Sequence, residues 1–162
     1  SMKINKTQLL QNLVSELKAQ LTRLAAAANT SRAEAIDEEN QAEDKYDTRG
    51  LEASYLAAGQ SRQVEETAAA VRQYGGMAAI RFGKADPVDL GALVEARLGP
   101  ESLWFFIGPC AGGTEVTVGR KTVLVLTPQS PLGQQLLGRK KGDRLKFKRD
   151  GIADEYRIES VT

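Results

Sequence analysis

No proline interrupts the chain before Pro87, and within that stretch apolar residues return at helical spacing on both sides of an acidic run. Leu10, Leu13, Leu17, Leu21, Leu24 and Ala28 are spaced by threes and fours, which is the seam of a coiled coil; Leu9 and Val14 sit on its shoulder. Leu51, Ser54, Ala58, Ser61, Val64, Ala68 and Val71 continue the pattern with smaller side chains, so that two antiparallel helices can lie close. Asn5 suits an N-cap, with Gln8 at the third helical position, and Gly75-Gly76 supplies a stop. Residues 6 to about 38 and about 44 to 74 therefore read as two helical arms, each about 50 Å long at a rise of ~1.5 Å per residue. The alternative is one continuous helix in an intermolecular coiled coil. The polar run and Gly50 break the seam midway and favour the hairpin.

That run, Glu34 to Asp47, holds Glu34, Asp37, Glu38, Glu39, Glu43, Asp44 and Asp47 against a single Lys45. A hairpin with acid at its tip can carry carboxylates deep into a partner. The net charge of the 162 residues is only +1, but Arg139, Lys140, Lys141, Arg144, Lys146, Lys148 and Arg149 face one Asp143 in a second, basic run. Acid and base are segregated along the chain, which suits a partner with charged surfaces. Cys110 is the only cysteine, so no internal disulfide can form and a reducing compartment is expected. With no histidine, His-based triads and His-ligated zinc are excluded. No apolar run is long enough to span a membrane and no signal-peptide pattern opens the chain; Ser1-Met2 reads as a remnant of tag cleavage. The expectation is a cytoplasmic monomer without membrane contact.

After Gly76 the pattern changes. β-rich runs occur at Ala78–Phe82, Leu93–Leu98, Leu103–Ile107, Glu115–Val118, Thr122–Leu126, Arg144–Lys148 and Tyr156–Val161, separated by Gly/Pro punctuation. Ser130 as N-cap and Pro131 at the first position open a short helix running to Leu137 before Gly138. The expected fold class is α+β, with an antiparallel coiled-coil hairpin over 1–76 and a small antiparallel β domain with one short helix over 77–162. Trp104, Phe105 and Phe106 are consecutive and must point to both faces of a strand; one enters the core and the opposite one marks a docking surface.

The string Ser130-Pro131-Leu132-Gly133-Gln134-Gln135-Leu136-Leu137-Gly138-Arg139-Lys140-Lys141-Gly142-Asp143 resembles the S-P-L/I-x-x-x-L-L/I-G-K-x-x-G-D segment of bacterial transcript-cleavage factors of the Gre type. Leu145-Lys146-Phe147 and Tyr156-Arg157-Ile158 are similar to that family's last two strands, and Val123 to Thr127 to the strand before them. The resemblance implies an FKBP-like β domain behind an N-terminal coiled coil, and a transcription elongation regulator whose partner is RNA polymerase. It would meet nucleic acid only indirectly, through the elongation complex. By resemblance, Ser130, Pro131, Leu132, Gly138, Arg139, Gly142 and Asp143 are candidates for docking to the polymerase. The acidic tip, Asp37, Glu38, Glu39, Glu43, Asp44 and Asp47, would enter the secondary channel.

Gre factors present D-x-x-E-N at the tip. Here Asn40-Gln41-Ala42-Glu43-Asp44 puts Asn40 at the aspartate position, while the register that places Glu39-Asn40 on E-N puts Ile36 there. The resemblance implies no intrinsic cofactor and no stable metal; a magnesium ion shared weakly through Glu39 or Glu43 would complete a site the polymerase has begun. Such a factor is not itself an enzyme. It would stimulate cleavage of backtracked RNA, or act as a channel regulator that does not cleave. An interaction module unrelated to polymerase, pairing its hairpin with another protein's helices, is the third reading, and a free-standing prolyl isomerase a remote fourth.

Lys18, Arg23 and Arg32 on the first arm form either a basic contact face or a solvated one, and Tyr46 either stacks at the tip or clasps the bend. The basic run invites a nucleic-acid reading, DNA included. Against it, Arg144, Lys146 and Lys148 alternate with Leu145 and Phe147, as the wet face of a strand would. Cys110 is expected to pack rather than react, and Gly133 to Gly138 lacks the ending of a phosphate loop.

Overall fold

A computed structural model describes residues 3–41 and 49–162. Its elements are α1 (Lys6–Gln41), α2 (Arg49–Gly75), β1 (Leu93–Leu98), β2 (Glu101–Ile107), β3 (Glu115–Val118), β4 (Lys121–Leu126), α3 (Pro131–Leu136), β5 (Arg144–Arg149) and β6 (Ile152–Val161). The fold is α+β: a helix pair followed by a six-stranded sheet with one short helix. The chain divides into two compact units, Val14–Gly76 and Ser1–Leu13 with Met77–Thr162.

In the helical unit the expected seam is realised where its side chains are described, those of Leu51, Ser54 and Ala58 lying outside the description. Leu17 and Ala28 are buried, Leu21, Leu24, Val64, Ala68 and Val71 are half-buried, and Ala70 and Tyr74 complete the packing. Arg32 Nη2 donates to Ser61 Oγ and clasps the two helices together. Residues this small at the seam allow the close approach that leaves even Ser31 only 8% exposed. Where α2 ends at Gly75, Gly76 N–H donates to the Arg72 carbonyl at 3.1 Å. The helix begins within its first turn as expected: Asn5 Oδ1 accepts from Gln8 N–H at 3.0 Å. Gln8 does not reach back to complete a capping box; its side chain donates to Asn12 Oδ1 at 2.7 Å instead.

The sheet runs in the order β3-β4-β2-β1-β6-β5. All neighbours are antiparallel except β2 and β4, which pair in parallel from Trp104↔Val123 to Ile107↔Leu126, so the sheet is mixed where an antiparallel one was expected. Residues 108–120, which include β3, carry the chain round between these two strands, long enough for a parallel connection. Gly99-Pro100 turns β1 into β2, with Gly99 at φ 58°, the positive angle that the first position of a II′ turn requires.

One face of the sheet holds Val94, Ala96, Phe105, Ile107, Leu126, Tyr156, Ile158 and Val161, covered by Leu136 of α3. Fully burying a Val, Leu, Ile or Phe side chain of this set contributes roughly 1.5–3 kcal/mol. The opposite face holds Leu93, Phe106, Val116, Val123 and Val125, all buried. The start of α1 is tied to it, with Asn12 Nδ2 donating to the Thr117 carbonyl at 3.0 Å and Leu9, Leu10 and Leu13 buried.

Ala78–Phe82 is not a strand. The sheet edges are β3 and β5, and the Ile80 carbonyl is taken by the Lys6 ammonium rather than by a ladder. Ile80 lies over Gly91 and stays 46% exposed.

Candidate functional site

The acidic stretch begins on α1. Glu34 and Asp37 are exposed there, with Ile36 between them 58% exposed. Glu38, Glu39 and Asn40 continue the helix, which ends at Gln41, three residues beyond the expected arm. Glu43, Asp44, Lys45, Tyr46 and Asp47 lie outside the described residues. From Lys6 to Asp37 the helix rises roughly 45 Å, so the carboxylates lie near the end of α1 farthest from Lys6. Among the described residues no three His, Cys, Asp or Glu side chains gather to hold a metal. Glu34 and Asp37, the acids of the run whose side chains are described, lie three residues apart on α1. Lys18 and Arg23 are exposed, Arg23 within 3.8 Å of Glu16, while Arg32 is spent on Ser61.

The docking candidates fall together around α3 and the loop after it, where most have structural partners. Ser130 Oγ accepts from Gly133 N–H at 3.1 Å and donates to the Thr127 carbonyl at 2.7 Å, while Pro131 takes the first helical turn and is exposed. Leu132 packs against the core. Gly138 N–H donates to the Val88 carbonyl at 2.8 Å, and the Arg139 carbonyl accepts from Val88 N–H at 2.7 Å. Gly142 N–H donates to the Ile158 carbonyl at 2.8 Å, and Asp143 Oδ2 accepts from Lys140 N–H at 2.9 Å. These bonds lace the loop to the segment before β1 and to β6. The sequence string therefore describes a folded corner, with Pro131, Gly138, Arg139 and Gly142 on its surface.

Gly133 has its own reason to be glycine. A Cβ there would lie 2.0 Å from the Thr127 carbonyl oxygen and 2.7 Å from Ser130 Oγ. The helix approaches the backbone too closely for any side chain, so no phosphate loop is needed to explain it.

A cleft of about 950 Å³ opens on the sheet face that carries the start of α1, bordered by Lys6, Phe82, Arg97 and Trp104. Lys6 Nζ donates to the main-chain oxygens of Ile80 and Thr162, the latter at 2.9 Å, and sits 4.9 Å from the Phe82 ring. Burial pushes its pKa down to about 8. The lysine is thus a cross-link among three parts of one unit, a role that its sequence position did not announce. Trp104 borders the same cleft, with the Lys121 ammonium 4.5 Å from its ring centre. Phe105 enters the α3 side of the core as expected, but Phe106 is buried too, on the α1 side. The half-exposed aromatic is Trp104.

On β5 the basic residues take the positions that strand alternation allots them. Arg144, Lys146 and Lys148 are exposed, Leu145 is buried and Phe147 half-buried. Charge along this edge also discourages pairing with another chain. Burial raises the pKa of Cys110, which agrees with a packing role.

No protein-family model and no curated protein matches the chain. Among solved structures it is similar to GreA factor homolog 1 of Thermus thermophilus, with 22% identity, 92% of this chain and 94% of that one covered, and a TM-score of 0.39. Similarity to the Thermus aquaticus counterpart is 21% in identity over 91% of this chain and 92% of that one, with a TM-score of 0.41. The prokaryotic transcription elongation factor GreA/GreB from Nitrosomonas europaea is 20% identical, with 59% of this chain and 78% of that one covered, at a TM-score of 0.38. No helix among the described residues is long and apolar enough to cross a membrane.

Proposed function

We propose that the chain is a Gre-like transcription factor that binds RNA polymerase and presents its acidic hairpin end in the secondary channel. The observation that carries this reading is a two-helix hairpin with exposed Glu34 and Asp37 far along α1, in a chain whose residues 130–143 resemble the Gre segment. The surface of the α3 corner, Pro131 and Arg139 first, is the proposed docking contact. The factor is an accessory, and any phosphodiester cleavage belongs to the polymerase active site. A magnesium ion held between the polymerase and Glu39 or Glu43 would activate water and balance developing charge. This chain's part is to carry carboxylates to that place on a rigid helix.

Stalled, backtracked elongation complexes with end-labelled RNA test the reading. Shortened transcripts on addition of the protein are the outcome for a cleavage factor, and altered pausing without shortening is that for a non-cleaving channel regulator. In either case, neutralising Asp37, Glu38, Glu39, Glu43 and Asp44 together abolishes the effect. Failure to bind polymerase eliminates both and leaves the interaction module, for which neutralisation is harmless.

A further inference from the structure

Strand register places three arginines in one row on the sheet face that Trp104 shares. Arg97 of β1 pairs directly with Arg157 of β6, and Arg157 pairs directly with Arg144 of β5. Directly opposed residues project to the same face, and like charges so placed are destabilising. All three are exposed. Only the outer two are compensated: Glu159, the extra residue at the β1–β6 bulge, lies 3.6 Å from Arg97, and Glu155 lies 3.8 Å from Arg144. Between the described residues there is no ion pair to the central Arg157. The fold supplies no ion pair for the central member of this row, and a ligand is the better account of it.

The row runs into the cleft. Arg97 borders both, and the cleft wall that includes Trp104 carries Lys3, Lys6, Arg81 and Lys141 against Glu95 and Glu159, a positive balance. Two interstrand spacings separate Arg97 from Arg144, about 10 Å, which is more than one phosphate or carboxylate group covers. The complementary ligand is an extended polyanion, and guanidinium forks suit the oxygens of phosphodiesters. An acidic protein segment would satisfy the arginines but would lay a flat face against the indole only where its sequence supplied an aromatic side chain. A nucleic-acid strand has both parts, since every base offers a flat face and stacking tolerates any sequence.

We propose that this face of the β unit binds single-stranded nucleic acid, with phosphates along Arg97, Arg157 and Arg144 and a base against Trp104. The site is independent of any polymerase contact and is tested on the free protein. Trp104 is the only tryptophan, so its fluorescence reports on this site alone. A twelve-nucleotide oligouridylate is expected to quench it saturably, with affinity falling about twentyfold between 50 and 200 mM salt if three contacts release counterions. In Arg144→Gln/Arg157→Gln, whose fold is checked by circular dichroism, that fall shrinks to about threefold. Oligothymidylate separates RNA from DNA, and quenching by either supports the site. Absence of quenching, an unchanged salt dependence in the variant, or an equal response to polyglutamate would overturn it, the last by making the face a contact for acidic proteins.

Discussion

Gly133 and Lys6 show opposite kinds of residue-level constraint. The space at Gly133 is closed by backbone, which cannot swing aside, so Gly133→Ala should destabilise the protein by about 1–3 kcal/mol in urea denaturation. Ser130→Ala, which removes only the cap, should cost about 1 kcal/mol. Lys6 concerns charge. Its folded pKa, about 8, lies below the ordinary 10.5, so between those values the unfolded chain holds the extra proton and stability rises with pH. Below that window Lys6 contributes no pH dependence. The urea midpoint measured from about pH 7.5 to about pH 10 should therefore climb more steeply in the wild type than in Lys6→Met. The caps at Asn5 and Ser130 were legible in the sequence because donor and acceptor lie three residues apart. Lys6 was not, because its partners are 74 and 156 residues away.

Among the elements, those that repeat a pattern declared themselves and those that depend on a distant neighbour did not. The seam of α1 and α2 follows from apolar spacing alone, and β1 and β3 have the expected bounds because turn residues flank them. Ala78–Phe82 has the composition of a strand, yet no free edge receives it. The parallel pairing of β2 with β4 likewise depends on where the chain returns, a matter of topology that alternation does not encode. The arginine row is the same lesson at the candidate site, since Arg97, Arg144 and Arg157 become neighbours only through register. Leu17, 1% exposed, is a large buried seam residue of the helical unit. Leu17→Ala should cost about 2–5 kcal/mol, seen as a lower midpoint of helix loss at 222 nm.

For the whole molecule, one boundary between the units coincides with the change in sequence character at Gly76, and the other falls inside α1. The first turns of α1, through Leu13, group with the sheet. Residues 77–162 alone should therefore leave Phe106, Val123 and Val125 uncovered and lose the near-ultraviolet signal of Trp104 at lower temperature than the full chain. Adding a peptide of residues 3–13 in trans should raise that temperature. The Lys6–Thr162 hydrogen bond, which joins positions 156 apart, has a consequence for how the protein is made. During synthesis the hairpin can close as soon as α2 emerges, because its contacts are local. The sheet must wait, since β1 needs β6 as its neighbour and β6 is made after the other five strands of the sheet. Until then Leu9, Leu10 and Leu13, translated well before β6, stay open to solvent and to any chaperone that binds apolar helix turns.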